Sequence, residues 1–283
     1  MRIINFETGG SPGIAADEGS GCHGLTQRDG GFPGTLPELI VQGADLLRIG
    51  KSLGQSPAID LNAVRLLPPV PVPPKILCVG LNYDDHLQES GLKKPDYPEI
   101  FARFATSLIA HQEPIRRPRE STALDYEAEL AVVIGKPGRR IPPEQALDHV
   151  AGYSLFNDAS LRDFQLRTPQ WTMGKNFDGT GSFGPWLVTP DAVPPGARGL
   201  RIQGRLNGRV MQDSRTDLLI FGVATLIETI SVAMTLERGD VIITGTPGGV
   251  GAARKPPVFM KAGDIFEVEI EGLGVLTNPV QDD

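Results

Sequence analysis

A run of prolines divides this chain of 283 residues, and no other feature restricts its folding as strongly. Residues 68–74 read Pro-Pro-Val-Pro-Val-Pro-Pro. Proline lacks a backbone N–H and has a fixed φ, so the run cannot continue a helix or a central strand and favours a stiff connector. The sequence predicts a small α+β N-terminal domain over residues 1–67, with one helix from about Pro37 to Leu53. The connector over 68–74 and a main domain over 75–283 follow.

The main domain has the pattern of a mostly β fold with a few helices. Short apolar runs alternate with Gly and Pro, which number 34 and 25 in the whole chain. Asn207 and Gly208 separate two such runs, and both residues tolerate the positive φ of a type I′ hairpin turn. Residues 265–270 alternate apolar side chains with glutamates, as expected for a half-exposed strand.

Residues 218–236 form an apolar stretch close to the ~20 residues that a membrane span needs. Glu228 lies near its centre, several hydroxyl side chains interrupt it, and its apolar residues recur every three to four positions. These features favour a buried helix packed on a sheet over a membrane span.

Charge and cysteine content exclude several kinds of partner and site. The chain has 27 basic and 34 acidic residues and a formal net charge of −7 at pH 7. Nucleic acids and anionic membranes need a clustered basic surface, so we expect neither as a partner. Two cysteines, Cys22 and Cys78, provide neither a disulfide framework nor a zinc site. The first residues lack the apolar core of a signal peptide, so a cytoplasmic location is expected.

Two carboxylates stand just before an apolar run that is typical of a buried strand. Glu127 and Glu129 precede residues 131–134, and residues two apart on a strand face the same side. Such a pair repels unless a cation lies between its members; the alternative is an exposed edge with two solvated glutamates. Asp158 follows another apolar run and adds a third carboxylate. Three carboxylates suit Mg²⁺ or Mn²⁺, with Ca²⁺ as a further option, better than zinc.

His86 and Glu89 are a candidate pair for acid–base chemistry. On a helix, residues three apart adjoin, and the carboxylate can orient the imidazole as a general base for water. An exposed polar helix face is the alternative. The chain has four His, so a histidine base must come from a short set.

Two glycine-rich stretches invite a nucleotide-binding interpretation. Residues 179–184 match G-x-G-x-x-G, but Pro185 and a strand-like run follow where a helix must begin, so we reject that function. Residues 245–251 lack the Lys and Ser/Thr of a P-loop. They can still offer backbone N–H groups and the Thr246 hydroxyl to a carboxylate.

The order of these motifs resembles the fumarylacetoacetate hydrolase superfamily over about residues 70–281, in particular its branch of acylpyruvate-cleaving enzymes and 2-hydroxyhepta-2,4-diene-1,7-dioate isomerases. The matching segments are Gly80–His86, Tyr126–Gly135, Gly152–Asp158, Arg162–Gln165, Gly174–Lys175 with Gly184–Pro185, Gly245–Gly251 and Gly263–Val280. The resemblance implies a mixed β-sandwich or β-roll, mostly β with some α, that forms a homodimer.

The resemblance also implies roles for individual residues. Glu127, Glu129 and Asp158 correspond to the metal ligands, and His86, Glu89 and Lys175 to catalytic residues. Positions that contact substrate are Tyr83, Arg103, Arg162, Gln165 and Thr246. At Arg103 many family members have Lys, and Arg favours a planar, bidentate grip on a carboxylate.

The chemistry implied is metal-dependent hydrolysis of a C–C bond in a 2,4-diketo acid such as an acylpyruvate, fumarylpyruvate or fumarylacetoacetate. His86 and Glu89 would activate the water, and the metal and Lys175 would stabilise the enolate that is released. Two alternatives stay open. One is isomerisation or decarboxylation of a related 2-oxo acid, of the 2-hydroxyheptadienedioate or oxaloacetate type, by the same enolate chemistry. The other is a non-catalytic ligand-binding protein with this fold.

Overall fold

The computed structural model describes residues 1–19, 21–85 and 94–283, and strands dominate these ranges. The strands up to residue 80 are β1 Arg2–Thr8, β2 Ser11–Asp17, β3 Cys22–Thr26, β4 Arg65–Leu66 and β5 Ile76–Gly80. They are followed by β6 Glu99–Arg103, β7 Leu108–Ile109, β8 Ile115–Arg117, β9 Leu124–Asp125, β10 Ala128–Ile134, β11 Val150–Asp158, β12 Ser160–Leu161 and β13 Gly181–Val188. The last strands are β14 Arg201–Leu206, β15 Arg209–Arg215, β16 Val241–Ile243, β17 Ile265–Ile270 and β18 Gly274–Asp282. The α-helices of these ranges are α1 Leu36–Gln42, α2 Leu46–Leu53, α3 Arg162–Gln165, α4 Thr172–Lys175 and α5 Val223–Ala233.

A mixed sheet of 11 strands forms the centre of the molecule. Its main path runs β3-β2-β1-β13-β11-β10-β16-β5-β6, with β4 beside β1 and β7 beside β13. A second sheet of five strands has the order β15-β14-β17-β18-β8, and β9 pairs with β12. This strand-dominated architecture with short helices is the fold class that the sequence predicts.

Strand β10 is buried on both faces, which explains its unbroken apolar sequence. Leu130 and Val132 pack into the core shared with the five-stranded sheet and α5, whereas Ala131 and Val133 pack into a second core that contains α1 and α2. Strands covered on both sides read as continuous apolar runs instead of alternating ones. The two cores therefore meet at β10, and the candidate ligands Glu127 and Glu129 lie just before it and at its second residue.

The structure confirms some of the turns and helices predicted from the sequence and contradicts one of them. Asn207 and Gly208 join β14 to β15 with φ of +51° and +76°, which confirms the hairpin. The apolar stretch at 218–236 contains the helix α5, which buries one face that includes Leu226, Ile227 and Ile230. The single helix predicted from Pro37 to Leu53 is wrong, because Gly43 ends α1 with φ +70° in the left-handed C-cap that favours glycine. Within the described ranges no helix is long and apolar enough to cross a membrane.

Residues on both sides of the proline run share the large sheet. In β1, Ile3 pairs with Leu187 of β13, and both side chains are buried in one core. The division into domains at residues 68–74 stays a prediction, which unfolding measurements can test.

We expect Leu187→Ala to lower the free energy of unfolding by about 2–5 kcal/mol, because this fully buried side chain packs between the two parts of the chain. Denaturant unfolding followed by circular dichroism and by tryptophan fluorescence should show one shared transition that moves in the variant. The control Leu218→Ala removes an exposed leucine and should change stability by less than about 0.5 kcal/mol. Two separate transitions, with only one shifted, would show instead that residues 1–67 unfold independently.

Candidate active site

The three predicted carboxylates lie together at the ends of two paired strands. Glu129 is the second residue of β10, Glu127 directly precedes that strand, and Asp158 ends β11. Because the strands are antiparallel, these ends coincide, and the Asp158 amide donates to the Glu127 carbonyl at 2.9 Å. One carboxylate oxygen from each residue lies within 4.8 Å of the others, and all three side chains are buried. The spacing in the sequence predicts this arrangement.

Lys175 places its ammonium group between two of these carboxylates. It is the last residue of α4 and only 2% exposed. Its Nζ lies 2.5 Å from Glu127 Oε2 and 2.5 Å from Asp158 Oδ2, and 5.0 Å from the centre of the Phe101 ring. The residue predicted to face the substrate and metal is therefore part of the carboxylate cluster.

Arg162 connects the cluster to the glycine-rich loop at residues 245–251. Its Nη2 lies 2.7 Å from Glu127 Oε1, and its Nε donates to Asp125 Oδ2 at 2.8 Å. Asp125 also accepts from the amides of Gly251 and Ala252, at 2.7 and 2.9 Å. The guanidinium donates in addition to Gln165 Oε1 at 2.8 Å. The loop and two of the five predicted substrate contacts, Arg162 and Gln165, are thus held by one hydrogen-bond network.

Arg103 pairs with Asp158 and is not among the residues that line the cavity. It is 2% exposed and lies behind Asp158, with Nε 2.6 Å from Oδ1. Its Nη2 donates to the Ala159 carbonyl at 2.6 Å and to Thr180 Oγ1 at 3.3 Å. Arg103 therefore holds a candidate metal ligand in position from outside, and its contact with substrate stays an untested prediction.

The glycine-rich loop contacts Glu129 through its backbone. The Gly245 amide, in a residue with φ +103°, donates to Glu129 Oε2 at 2.5 Å. A side chain at Gly245 would meet Asn82 at 2.8 Å, so glycine is required for both φ and space. Thr246 lines the cavity, donates to the Ala128 carbonyl at 3.0 Å, and accepts from Gln212 Nε2 at 2.7 Å. The sequence predicts that a backbone N–H of this loop donates to a carboxylate. In the structure, the Gly245 N–H donates to the carboxylate of Glu129.

Three predicted site residues remain: Tyr83, His86 and Glu89. Tyr83 is fully buried, does not line the cavity, and its hydroxyl has no hydrogen-bond partner in the part of the chain that is described. Burial raises its pKa. His86 and Glu89 lie outside the described residues, and their roles stay predictions.

A cavity of about 390 Å³ opens onto the cluster. Its charged end is formed by Glu127, Glu129, Asp158, Arg162 and Lys175. Away from that end, its lining consists mainly of apolar side chains, among them Val79, Leu81, Phe101, Leu166, Trp171 and Val250. The volume lies within the range of about 300–1,000 Å³ that is usual for small-molecule sites.

Burial and charge set the protonation of the cluster. Burial raises the pKa of Glu129 well above its usual range, and the charges of Asp158 and Glu127 act in the same direction. Burial opposes the charge of Lys175, but Asp158 and Glu127 outweigh it, so the pKa of Lys175 lies above its ordinary value. Without a bound metal ion, Lys175 therefore stays protonated and the Glu129 carboxyl resists ionisation.

The donor set fits a hard divalent cation. Every member of the cluster offers carboxylate oxygen, and no Cys or His belongs to it in the described ranges. Including Asp125, four carboxyl groups meet the three cations of Lys175, Arg162 and Arg103, so the charges balance while Glu129 is protonated and one negative charge is in excess when it ionises. Uncompensated buried charge is costly, and a bound divalent ion would stabilise the ionised Glu129 carboxylate.

Several residues of the site carry no sequence signal of their own. Asp125 stands next to the predicted motif, but its partners at 251 and 252 are brought in by tertiary folding. Gln212 lies on the predicted hairpin and joins Thr246 to Ala128, whose amide donates to its Oε1 at 2.9 Å. A glutamine on a strand is ordinary, so only the packing of the two sheets shows its role.

Comparisons with known proteins agree on one family. A family model described as fumarylacetoacetate hydrolase C-terminal matches residues 75–281. The oxaloacetate tautomerase fahd2, mitochondrial, of Xenopus laevis is 41% identical over 99% of this chain and 90% of its own length. A solved fumarylacetoacetate hydrolase from psychrophilic Exiguobacterium antarcticum has a TM-score of 0.86 and 38% identity over 100% of both chains. The 2-hydroxyhepta-2,4-diene-1,7-dioate isomerase from Mycobacterium marinum has a TM-score of 0.79 and 33% identity over 100% of this chain and 99% of its own.

Binding of Mg²⁺ or Mn²⁺ should release protons, because a ligand carboxyl must be ionised and the pKa of Glu129 is raised. The affinity should rise with pH above the ordinary Glu value of 4.5 until the buried carboxyl has ionised. Without metal, the Glu129 carboxyl ionises at a lower pH in the unfolded chain than in the folded protein. The protonated, buried carboxyl therefore contributes stability at low pH, and this contribution is lost as pH rises through the raised pKa.

Isothermal titration calorimetry in buffers of different ionisation enthalpy measures the protons released. Glu129→Gln should weaken binding by at least about 10-fold and reduce the release. An unchanged affinity in this variant would show that the cation is held elsewhere.

Replacing Arg103 should destabilise the fold by about 3–5 kcal/mol, because Arg103→Gln removes one of the two cations that compensate the buried Asp158 and leaves its Oδ1 unpaired. Arg103→Lys keeps the charge but cannot reach all of the same acceptors, so it should recover only part of the loss. Denaturant unfolding measures both. Arg201→Gln, which breaks an exposed pair with Asp213, is the matched control and should cost at most about 1 kcal/mol; an equal loss in the two Gln variants would contradict the buried role.

Proposed function

The chain belongs to the fumarylacetoacetate hydrolase family, and on that basis we propose that it is a divalent-metal-dependent tautomerase of oxaloacetate-type 2-oxo acids. Relatives named oxaloacetate tautomerase support this choice, at 41% and 39% identity in a frog and in Bacillus subtilis. The isomerase of Mycobacterium marinum supports the same class of proton movement. The alternative weighed from the sequence thus becomes the leading hypothesis.

One observation of the site carries the proposal. The Lys175 ammonium is held between Glu127 and Asp158 at the charged end of the cavity, and its raised pKa keeps it protonated. Keto–enol tautomerisation moves a proton from the third carbon of a 2-oxo acid to the oxygen on the second, through an enolate. A fixed ammonium group beside that oxygen stabilises the enolate charge and can supply the proton.

The ion we propose is Mg²⁺ or Mn²⁺, held by Glu127, Glu129 and Asp158. When bound, it would polarise the 2-oxo group and share the negative charge that develops on its oxygen.

The chain's own groups would divide the proton transfer between them. His86, oriented by Glu89, is the candidate base that takes the proton from the third carbon. Lys175 gives a proton to the enolate oxygen and regains one from solvent, while His86 returns its proton to solvent. Arg162, fixed by Asp125, keeps the Glu127 carboxylate in place beside Lys175.

A second candidate function is hydrolysis of a C–C bond in an acylpyruvate. The similarity to the solved fumarylacetoacetate hydrolase favours it, and it shares the enolate step. The two reactions differ in the proton that the base removes: tautomerisation takes it from the third carbon of the substrate, and hydrolysis takes it from water. Product analysis separates the two: hydrolysis yields two fragments, decarboxylation yields CO₂, and tautomerisation yields neither.

The test is deuterium exchange at the third carbon of oxaloacetate, followed by proton NMR beside a blank containing metal alone. We expect metal-dependent acceleration without fragments. Lys175→Met should lower the turnover number by about 10²–10³-fold, the usual loss when one donor to an oxyanion is removed. His86→Ala should also lower it by at least about 10²-fold.

Lys261→Met, at an exposed lysine outside the cavity, is the matched control and should leave exchange unchanged. Pyruvate released in step with exchange would show a decarboxylase. Cleavage of acylpyruvates together with no effect on oxaloacetate would show a hydrolase.

A further inference from the structure

The cavity has an apolar end whose size and lining do not match a small dicarboxylate. Beyond the charged cluster, the walls include Leu81, Phe101, Leu166, Trp171, Val250 and Ala253. Leu166 is 73% exposed, so the apolar wall reaches the mouth of the cavity and is open to an entering molecule. A four-carbon acid bound at the cluster would leave this end without an occupant.

The charged groups of the cavity are already paired with one another. Among its described lining residues, the cationic side chains are Lys175 and Arg162. Lys175 contacts Glu127 and Asp158, and Arg162 contacts Glu127 and Asp125. A second carboxylate at the far end of a substrate would meet no uncommitted cation in this part of the chain, and an unpaired charge is costly against apolar walls.

An aromatic path leads from the reacting end to the apolar end. The Phe101 ring lies 5.0 Å from Lys175 Nζ, and its centre lies 5.4 Å from that of Trp171 at an interplanar angle of 72°. Trp171 rests on Gly80, where a Cβ atom would come within 2.3 Å of the ring. Glycine at position 80 thus makes room for the indole, and the edge-to-face pair forms a continuous apolar surface that begins beside the ammonium group.

We infer that this surface holds the side group of a 2-oxo acid whose third carbon carries an aryl or branched alkyl substituent. Phe101 and Trp171 are then the residues that determine specificity. The inference rests on the proposed function for its chemistry, because it assumes that the 2-oxo acid group is bound at the cluster. It goes further in the substrate class, because 2-oxo acids with an apolar distal group are expected to react beside oxaloacetate and to be preferred to it.

The experiment compares phenylpyruvate with oxaloacetate in metal-dependent exchange of the hydrogens on the third carbon. We expect kcat/KM for phenylpyruvate to exceed that for oxaloacetate by about 10-fold or more, the usual scale of discrimination by apolar pockets. Trp171→Ala should reduce this ratio by about 10-fold, mainly through KM, and Trp171→Phe should restore most of it. Leu218→Ala, at an exposed leucine outside the cavity, should leave the ratio unchanged.

A binding probe keeps this inference separate from the proposed reaction. Trimethylpyruvate is a branched 2-oxo acid without hydrogens on its third carbon, so it binds without reacting. In the variant Trp186→Phe, Trp171 is the remaining tryptophan of the two in the chain, and the probe should quench its fluorescence. Quenching without exchange of either substrate would support the apolar site while the proposed function fails. Exchange of oxaloacetate alone, without quenching, would overturn the inference and leave the proposed function standing.

Discussion

Compensation of buried negative charge is the constraint on which the rest of this structure depends. Antiparallel pairing of β10 with β11 brings Glu127, Glu129 and Asp158 together, and burial removes the water that would otherwise solvate them. Isolated charges in such a place are expensive, so cations must be supplied from other segments. Lys175 and Arg162 come from one side of the cluster and Arg103 from behind it. The segment between α3 and α4 is thereby fixed against the strands, and the cavity forms at the same place.

The sequence predicts those parts of the fold that depend on near neighbours in the chain. The apolar run of β10 predicts a buried strand because both of its faces are covered, and Asn207-Gly208 predicts a hairpin because few other residues accept its φ values. The cluster itself follows from the spacing of two glutamates and from the strand that ends at Asp158. Gly43 shows the limit: a glycine in an apolar, helix-like segment can be tolerated or can end the helix, and only the packing of α1 and α2 decides which.

The parts that could not be predicted depend on the direction in which a side chain points or on contacts between residues that are distant in the chain. The sequence shows that position 103 is cationic, but not that the guanidinium points toward the back of Asp158. Phe101 and Trp171 are 70 positions apart, and neither belongs to a motif of charged residues, so the apolar wall becomes visible only in three dimensions. The same holds for Asp125, whose partners lie in a loop more than 120 residues away. Motifs mark the reacting end of the cavity well because chemistry restricts residue type there. The distal end tolerates many apolar residues and leaves little pattern.

This division also explains why the reaction type is harder to infer than the enolate chemistry. Hydrolysis, decarboxylation and tautomerisation all pass through an enolate, so all three require the carboxylate cluster and a cationic side chain such as Lys175. They differ in what is delivered to or removed from the neighbouring carbon, which depends on the base and on the shape of the distal end. The overall charge of −7 does not prevent an anionic substrate from binding, because salt screens the charges that lie far from the cavity. A divalent cation held by Glu127, Glu129 and Asp158 would supply the positive charge that such a substrate needs. We propose that the apolar wall beside the cluster then selects among 2-oxo acids by the group they carry.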